Sequence, residues 1–105
     1  QLYPSWGIRI PDINCSYLTS AVGVVYGTSQ KLAIRKEILQ AVSEQYGVSV
    51  SAVDSGIRRM IDQLEAKPSA KWLRFKDESG FADEKPTTGK LIYTVKNYLQ
   101  RQKDD

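Results

Sequence analysis

Arg58 and Arg59 stand in the run Ser49-Val50-Ser51-Ala52-Val53-Asp54-Ser55-Gly56-Ile57-Arg58-Arg59-Met60-Ile61, and their type and spacing suggest chemistry. A guanidinium can bridge O6 and N7 of guanine or grip a phosphate. At about 100° per residue, Ser51, Ser55, Arg58 and Asp62 leave a helix on one side, with Ala52 and Arg59 beside them. Val53, Ile57, Met60, Ile61 and Leu64 share the other side. Hydroxyls and guanidiniums outside, aliphatics inside, suit a helix that lies in a DNA major groove. Ser51, Ser55 and Arg58 would then face base edges, while Ser49 and Arg59 hold phosphates. Any amphipathic helix of a bundle has the same two faces, so the stripe alone also fits a solvated surface.

Such a helix needs a turn and a partner helix to aim it. Gly47 sits where a helix C-terminus needs a residue tolerant of positive φ. Ser49 is one N-cap for the next helix; Ser51 with Asp54 forms a second, capping-box-like choice. The preceding helix is expected over residues 30–46, with Ile34, Ile38, Ala41, Val42 and Gln45 at helical spacing. Lys31, Arg35 and Lys36 lie on its outer face, as a solvated surface or as phosphate contacts, because the first helix of a helix-turn-helix crosses the DNA backbone. The recognition helix should span about residues 50–65, since Pro68 stops it. Asp54 would repel phosphate unless it caps the helix or pairs with Arg58 at i+4.

Residues 1–12 read as an irregular lead-in punctuated by Pro4, Gly7 and Pro11, with Trp6, Ile8 and Ile10 packed onto the body. A helix over 13–26 follows, capped by Asp12 or Asn14 and closed by Gly27. Leu18, Ala21, Val22 and Val25 form its core stripe, and Gly23 is expected to permit close helix approach. Residues 67–85 allow two readings: a short helix capped by Ser69 and holding Trp72, Leu73 and Phe75, or a strand over 71–75. Trp72, Phe75 and Phe81 are read as core pegs rather than a base-stacking platform. Lys67, Lys71, Arg74 and Lys76 form either a basic rim beside DNA or a solvated surface. A last helix follows Lys85-Pro86-Thr87-Thr88, with Thr87 as cap and Leu91, Ile92, Val95, Tyr98 and Leu99 as stripe. Residues 101–105 should fray. The expected architecture is a single all-α domain over 1–105, a compact bundle of five to six helices containing a helix-turn-helix at about 34–64.

Composition excludes several function classes. The chain has 105 residues, 41% hydrophobic and 26% charged, the balance of one soluble globular domain. No apolar run approaches the roughly 20 residues of a membrane span. Histidine is absent, and Cys15 is the single cysteine. That removes most hydrolase, Cys-His and zinc designs. There is no Walker loop and no dinucleotide fingerprint. No enzyme, cofactor or metal site is expected. A lone cysteine fits a reducing cytosol, hence a cytoplasmic location. The net charge of +3 is compatible with nucleic acid. Beginning at Gln1, the chain reads as a fragment with a regulatory domain expected upstream.

The order of these features resembles the C-terminal DNA-binding effector domain of the sporulation master response regulator family of endospore-forming bacteria. The similarity runs from about Gly7 to Leu99. It rests on Gly7-Ile8-Arg9-Ile10-Pro11 before Tyr17-Leu18, on Val24-Val25-Tyr26, and on Lys36-Glu37-Ile38-Leu39 with Val42 through Tyr46-Gly47. It continues in Ser51-Ala52-Val53-Asp54-Ser55-Gly56-Ile57-Arg58 and in the Lys85-Pro86-Thr87 junction. The family's recognition helix reads Ser-Arg-Val-Glu-Arg-Ala-Ile-Arg. Ser51, Val53, Ile57 and Arg58 keep that pattern, Asp54 is a shorter acid, and Ala52 and Ser55 replace arginines. The resemblance implies that Arg58 reads a base and that Lys85 meets the phosphate backbone. It implies tandem or dimeric binding to a short DNA box and contact with RNA polymerase, through its sigma subunit. The altered residues point away from the family's usual target sequence, and residues 68–83 depart from the family.

The expected function is sequence-specific double-stranded DNA binding in transcription regulation. Ser51, Ser55 and Arg58 would face bases, with Ala52 beside them, and Ser49, Arg59, Lys85, Lys31 and Arg35 would hold phosphates. The alternative is a protein-interaction module of the same fold that has lost base readout, which Ala52 and Ser55 favour.

Overall fold

The computed structural model describes residues 6–7 and 12–104. Among these residues five α-helices follow one another: α1 Ile13–Val25, α2 Gln40–Tyr46, α3 Val50–Ala66, α4 Ala70–Glu78 and α5 Thr88–Asp104. A π-helical segment, Ile34–Leu39, leads directly into α2. There is no strand among the described residues. The radius of gyration, 13.2 Å, is that of one folded body of about 100 residues.

The helix beginnings show how the local sequence works. Asp12 caps α1, its carboxylate accepting the Asn14 N–H at 2.8 Å, which decides between Asp12 and Asn14. Ser49 caps α3, its hydroxyl accepting the Ala52 N–H at 3.0 Å, so the Ser51–Asp54 choice is not taken. Ser69 does the same for α4 through the Trp72 N–H at 3.1 Å, and residues 71–75 are helical rather than extended. Thr87 caps α5, accepting the Lys90 N–H at 3.1 Å.

α1 is central, packing against α2, α3 and α5. Its Leu18, Ala21 and Val25 are fully buried, joined by Ile38 and Val42, by Val53, Ile57 and Ile61 of α3, and by Leu91, Ile92 and Val95 of α5. Burying one such aliphatic side chain stabilises the fold by about 1.5–3 kcal/mol. Tyr17 meets Tyr46 edge-on at 5.2 Å, tying α1 to α2. Close approach falls at Gly56 and Gly89, not at Gly23. A Cβ at Gly56 would stand 2.5 Å from Asn14 Oδ1 and 3.0 Å from the Tyr17 ring, whereas one at Gly23 would meet nothing.

Three expectations need correction. The second helix begins at Ile34, not Gln30. Leu32 donates its N–H to the Tyr93 hydroxyl at 2.9 Å and accepts that hydroxyl on its carbonyl at 3.2 Å, so its backbone is held by α5 instead of a helix. Lys76 does not belong to a basic rim: its side chain is 5% exposed and paired with Glu65. α5 stays helical to Asp104, through residues expected to fray, although Leu99 has left the core at 37% exposed. Trp6 does pack inward, at 4.8 Å from Trp72 and 4.7 Å from Phe75. The expectations for Pro4, Ile8, Ile10, Pro11 and Asp105 lie outside the described residues.

Candidate nucleic-acid interface

α3 is aimed by the turn that precedes it. Gly47 takes the left-handed conformation, φ 66°, which a side chain would resist. Its N–H and that of Val48 both close on the Ser43 carbonyl. α3 then rises with Val53, Ile57, Met60, Ile61 and Leu64 buried, and with Ser51, Ala52, Ser55, Arg58 and Arg59 exposed. The two faces read from the sequence are therefore the two faces of the folded helix.

A groove of about 600 Å³ runs beside α3, between the π-helical segment and the start of α5. Arg35, Arg58 and Lys85 line it together with Asp54, Asp62 and Thr88. Asp54 is its organising residue, with a side chain only 12% exposed. One carboxylate oxygen receives the Thr88 hydroxyl at 2.9 Å. The other faces Arg35 Nη1 at 3.2 Å and Arg58 Nε at 3.3 Å. Thus one acid joins three elements: α3, the π-helical segment and the first residue of α5. Asp54 pairs with Arg58 at i+4, as the spacing suggests, and it is not a cap.

The pairing does not consume the arginines. The Arg58 side chain is 72% exposed and that of Arg35 57% exposed. Only Nε of Arg58 faces Asp54, so both terminal nitrogens stay available for a two-point contact. The carboxylate restricts the rotamers of both long side chains, which lowers the entropy lost when a ligand fixes them. Lys85 forms a surface ion pair with Asp62, from the chain leading into α5 to α3. Pairs so exposed are weak and yield readily to a phosphate. Across this groove three cations face two carboxylates.

The sequence-derived residues divide by position. Arg58, Arg35 and Lys85 meet at the groove, while Ser51, Ala52, Ser55 and Arg59 lie along the exposed side of the same helix. Ser49 is exposed at the foot of α3 with its hydroxyl used as a cap. Lys31 stands apart, lining a second groove with residues of α5. Thr88 and Asp62 escaped the sequence reading as site residues. The Thr87-Thr88 pair was a signal, because one hydroxyl suffices for capping and the other is free to bond elsewhere.

The described residues hold no cluster of three His, Cys, Asp or Glu that could ligate an ion. Burial, with the nearby Asp12 charge, pushes the Cys15 thiol up to about 11, so it is not a thiolate nucleophile at neutral pH. Among the described residues no helix is long and apolar enough to cross a membrane. No family model matches the chain, and no curated protein or solved structure matches it either.

Proposed function

We propose that this domain binds double-stranded DNA in a sequence-dependent way, with α2, the Gly47 turn and α3 acting as a helix-turn-helix. The observation that carries the reading is Arg58, exposed on α3 and steadied by Asp54 beside Arg35 and Lys85 on one groove. In this reading α3 enters the major groove. Ser51, Ser55 and Arg58 meet base edges, and Ser49, Arg35, Arg59 and Lys85 meet phosphates. Supporting it are the resemblance to the sporulation effector domain and a surface where guanidiniums outnumber the acids that restrain them. The same resemblance adds RNA polymerase, through its sigma subunit, and a second copy on tandem DNA boxes as partners, and a transcriptional role in the cytoplasm.

Selection from random duplexes followed by mobility-shift titration at low and high salt tests this. An enriched motif bound in a salt-sensitive manner is expected. Arg58→Ala should weaken binding to that motif by about 1–3 kcal/mol and relax preference at one base pair. No affinity for any duplex, together with capture of a protein partner by the same surface, would replace DNA binding with protein interaction.

A further inference from the structure

Continuous with the α3 groove is a second one, of about 660 Å³, formed by the chain before the π-helical segment and by one face of α5. Ile34 and Gly89 line both grooves. Gly89 lets Ile34 pack close where the two grooves meet: a Cβ there would stand 3.0 Å from the Ile34 side chain. The two grooves differ in charge. Lys31, Lys90 and Lys96 line the second, and no carboxylate lines it among the described residues. Glu84 approaches Lys90 only to 3.9 Å, and both side chains are largely solvated.

Lys90 and Lys96 are positioned by aromatic and backbone contacts, while Lys31 is exposed. The Lys90 ammonium lies over the Phe81 ring at 5.2 Å, and that of Lys96 over Tyr93 at 5.8 Å while donating to the Thr28 carbonyl at 3.3 Å. The Tyr93 hydroxyl is itself locked between the N–H and carbonyl of Leu32, which fixes the groove's other wall. The Ser79 hydroxyl, without a hydrogen-bond partner among the described residues, also lines it.

We infer that this second groove is a phosphate track for the duplex flanking the bases read by α3, with Lys31 and Lys90 as its principal contacts. Charge and continuity carry the inference. Ammonium groups in a groove that no carboxylate lines among the described residues fit an anionic backbone, and the shared Ile34–Gly89 floor directs that backbone away from Arg58. Point-charge ammoniums suit phosphate contact that is blind to sequence. The inference rests on the proposed DNA reading, whose base-specific half it does not touch.

Lys31→Gln/Lys90→Gln in the intact chain is the test, with melting temperature as a check on folding. Binding is measured to the selected motif in a long duplex and in one trimmed at either flank, across a salt series. Two lost phosphate contacts should lower the salt slope by about two, so the loss of affinity between about 50 and about 200 mM salt shrinks roughly tenfold. Base preference should be unchanged. Trimming one flank, and not the other, should weaken the parent protein but leave the double variant unaffected. If the variant keeps the parent's slope on the long duplex while Arg58→Ala still loses base preference, the track is wrong and the DNA reading stands. If the parent binds no duplex, both fall.

Discussion

α3 carries two partly buried carboxylates about three helical turns apart, and they are used in opposite ways. Asp54 gathers Arg35 and Arg58, whose guanidiniums remain largely in solvent. Glu65 gathers Lys76, whose side chain is almost wholly buried, with Nζ 3.0–3.1 Å from both carboxylate oxygens, and also accepts the Trp72 indole N–H at 2.9 Å. Burial by itself raises the Glu65 carboxyl, but the hydrogen bonds from Trp72 and Lys76 and the Lys76 charge together hold it below its ordinary value of 4.5. The chemistry of the two nodes is the same. What separates them is the solvation of the cation: a desolvated ammonium is committed to the fold, whereas a solvated guanidinium keeps much of its surface in water.

Removing each acid should expose that difference. Glu65→Ala would strand the Lys76 ammonium in the core beside Trp72, and losses of about 3–5 kcal/mol are expected for such a broken pair. For a domain of this size that lowers the melting temperature by more than about 10 °C. Lys76→Met in the same background should restore much of the loss, since it removes the orphaned charge. Asp54→Ala should be milder in stability, about 1–3 kcal/mol, because Arg35 and Arg58 can return to water and only the Thr88 hydroxyl is left buried. Its larger effect should fall on DNA, as weaker discrimination between the selected motif and random duplex. A variant that melts early yet discriminates normally would make Asp54 purely structural.

Acid separates the nodes more gently. With the Glu65 carboxyl lowered in the folded protein, the unfolded chain takes up that proton first as pH falls. The stabilisation from this node is whole above the ordinary value of 4.5 and is lost as pH drops through the lower folded one. Melting temperature should therefore fall more steeply below that value in the parent than in Glu65→Gln, and parallel curves would remove Glu65 from the account. Smallest in stability is Lys85→Ala, within about 0.5 kcal/mol for an exposed pair. On any duplex it should nonetheless lower the salt slope by about one, without altering base preference.

Much of this was written locally. The Ser49, Ser69 and Thr87 caps, the left-handed Gly47 and the stripe from Val53 to Leu64 obey rules that operate within one or two helical turns, so residues alone located α3 and its outward Arg58. Errors arose wherever a distant group intervened. The start of the second helix was misplaced because Tyr93, 61 residues from Leu32, takes both of its backbone groups. Lys76 looked like a surface cation because its partner lies on another helix. Gly56 passed unnoticed as a close-approach site because only the arrival of Asn14 and Tyr17 makes the missing Cβ matter.

The sequence by itself determined an all-helical chain with one amphipathic helix whose polar side bears Ser51, Ser55, Arg58 and Arg59. Helical period and capping chemistry depend on neighbours in the chain, so nothing else was required. Tertiary structure alone decided that Arg35 and Thr88 join the local Asp54–Arg58 pair, and that Lys31 and Lys90 border a separate groove that no carboxylate lines among the described residues. The two added contacts to Asp54 join residues 19 and 34 positions apart, and only elements already docked through a shared apolar core bring such residues within hydrogen-bond reach.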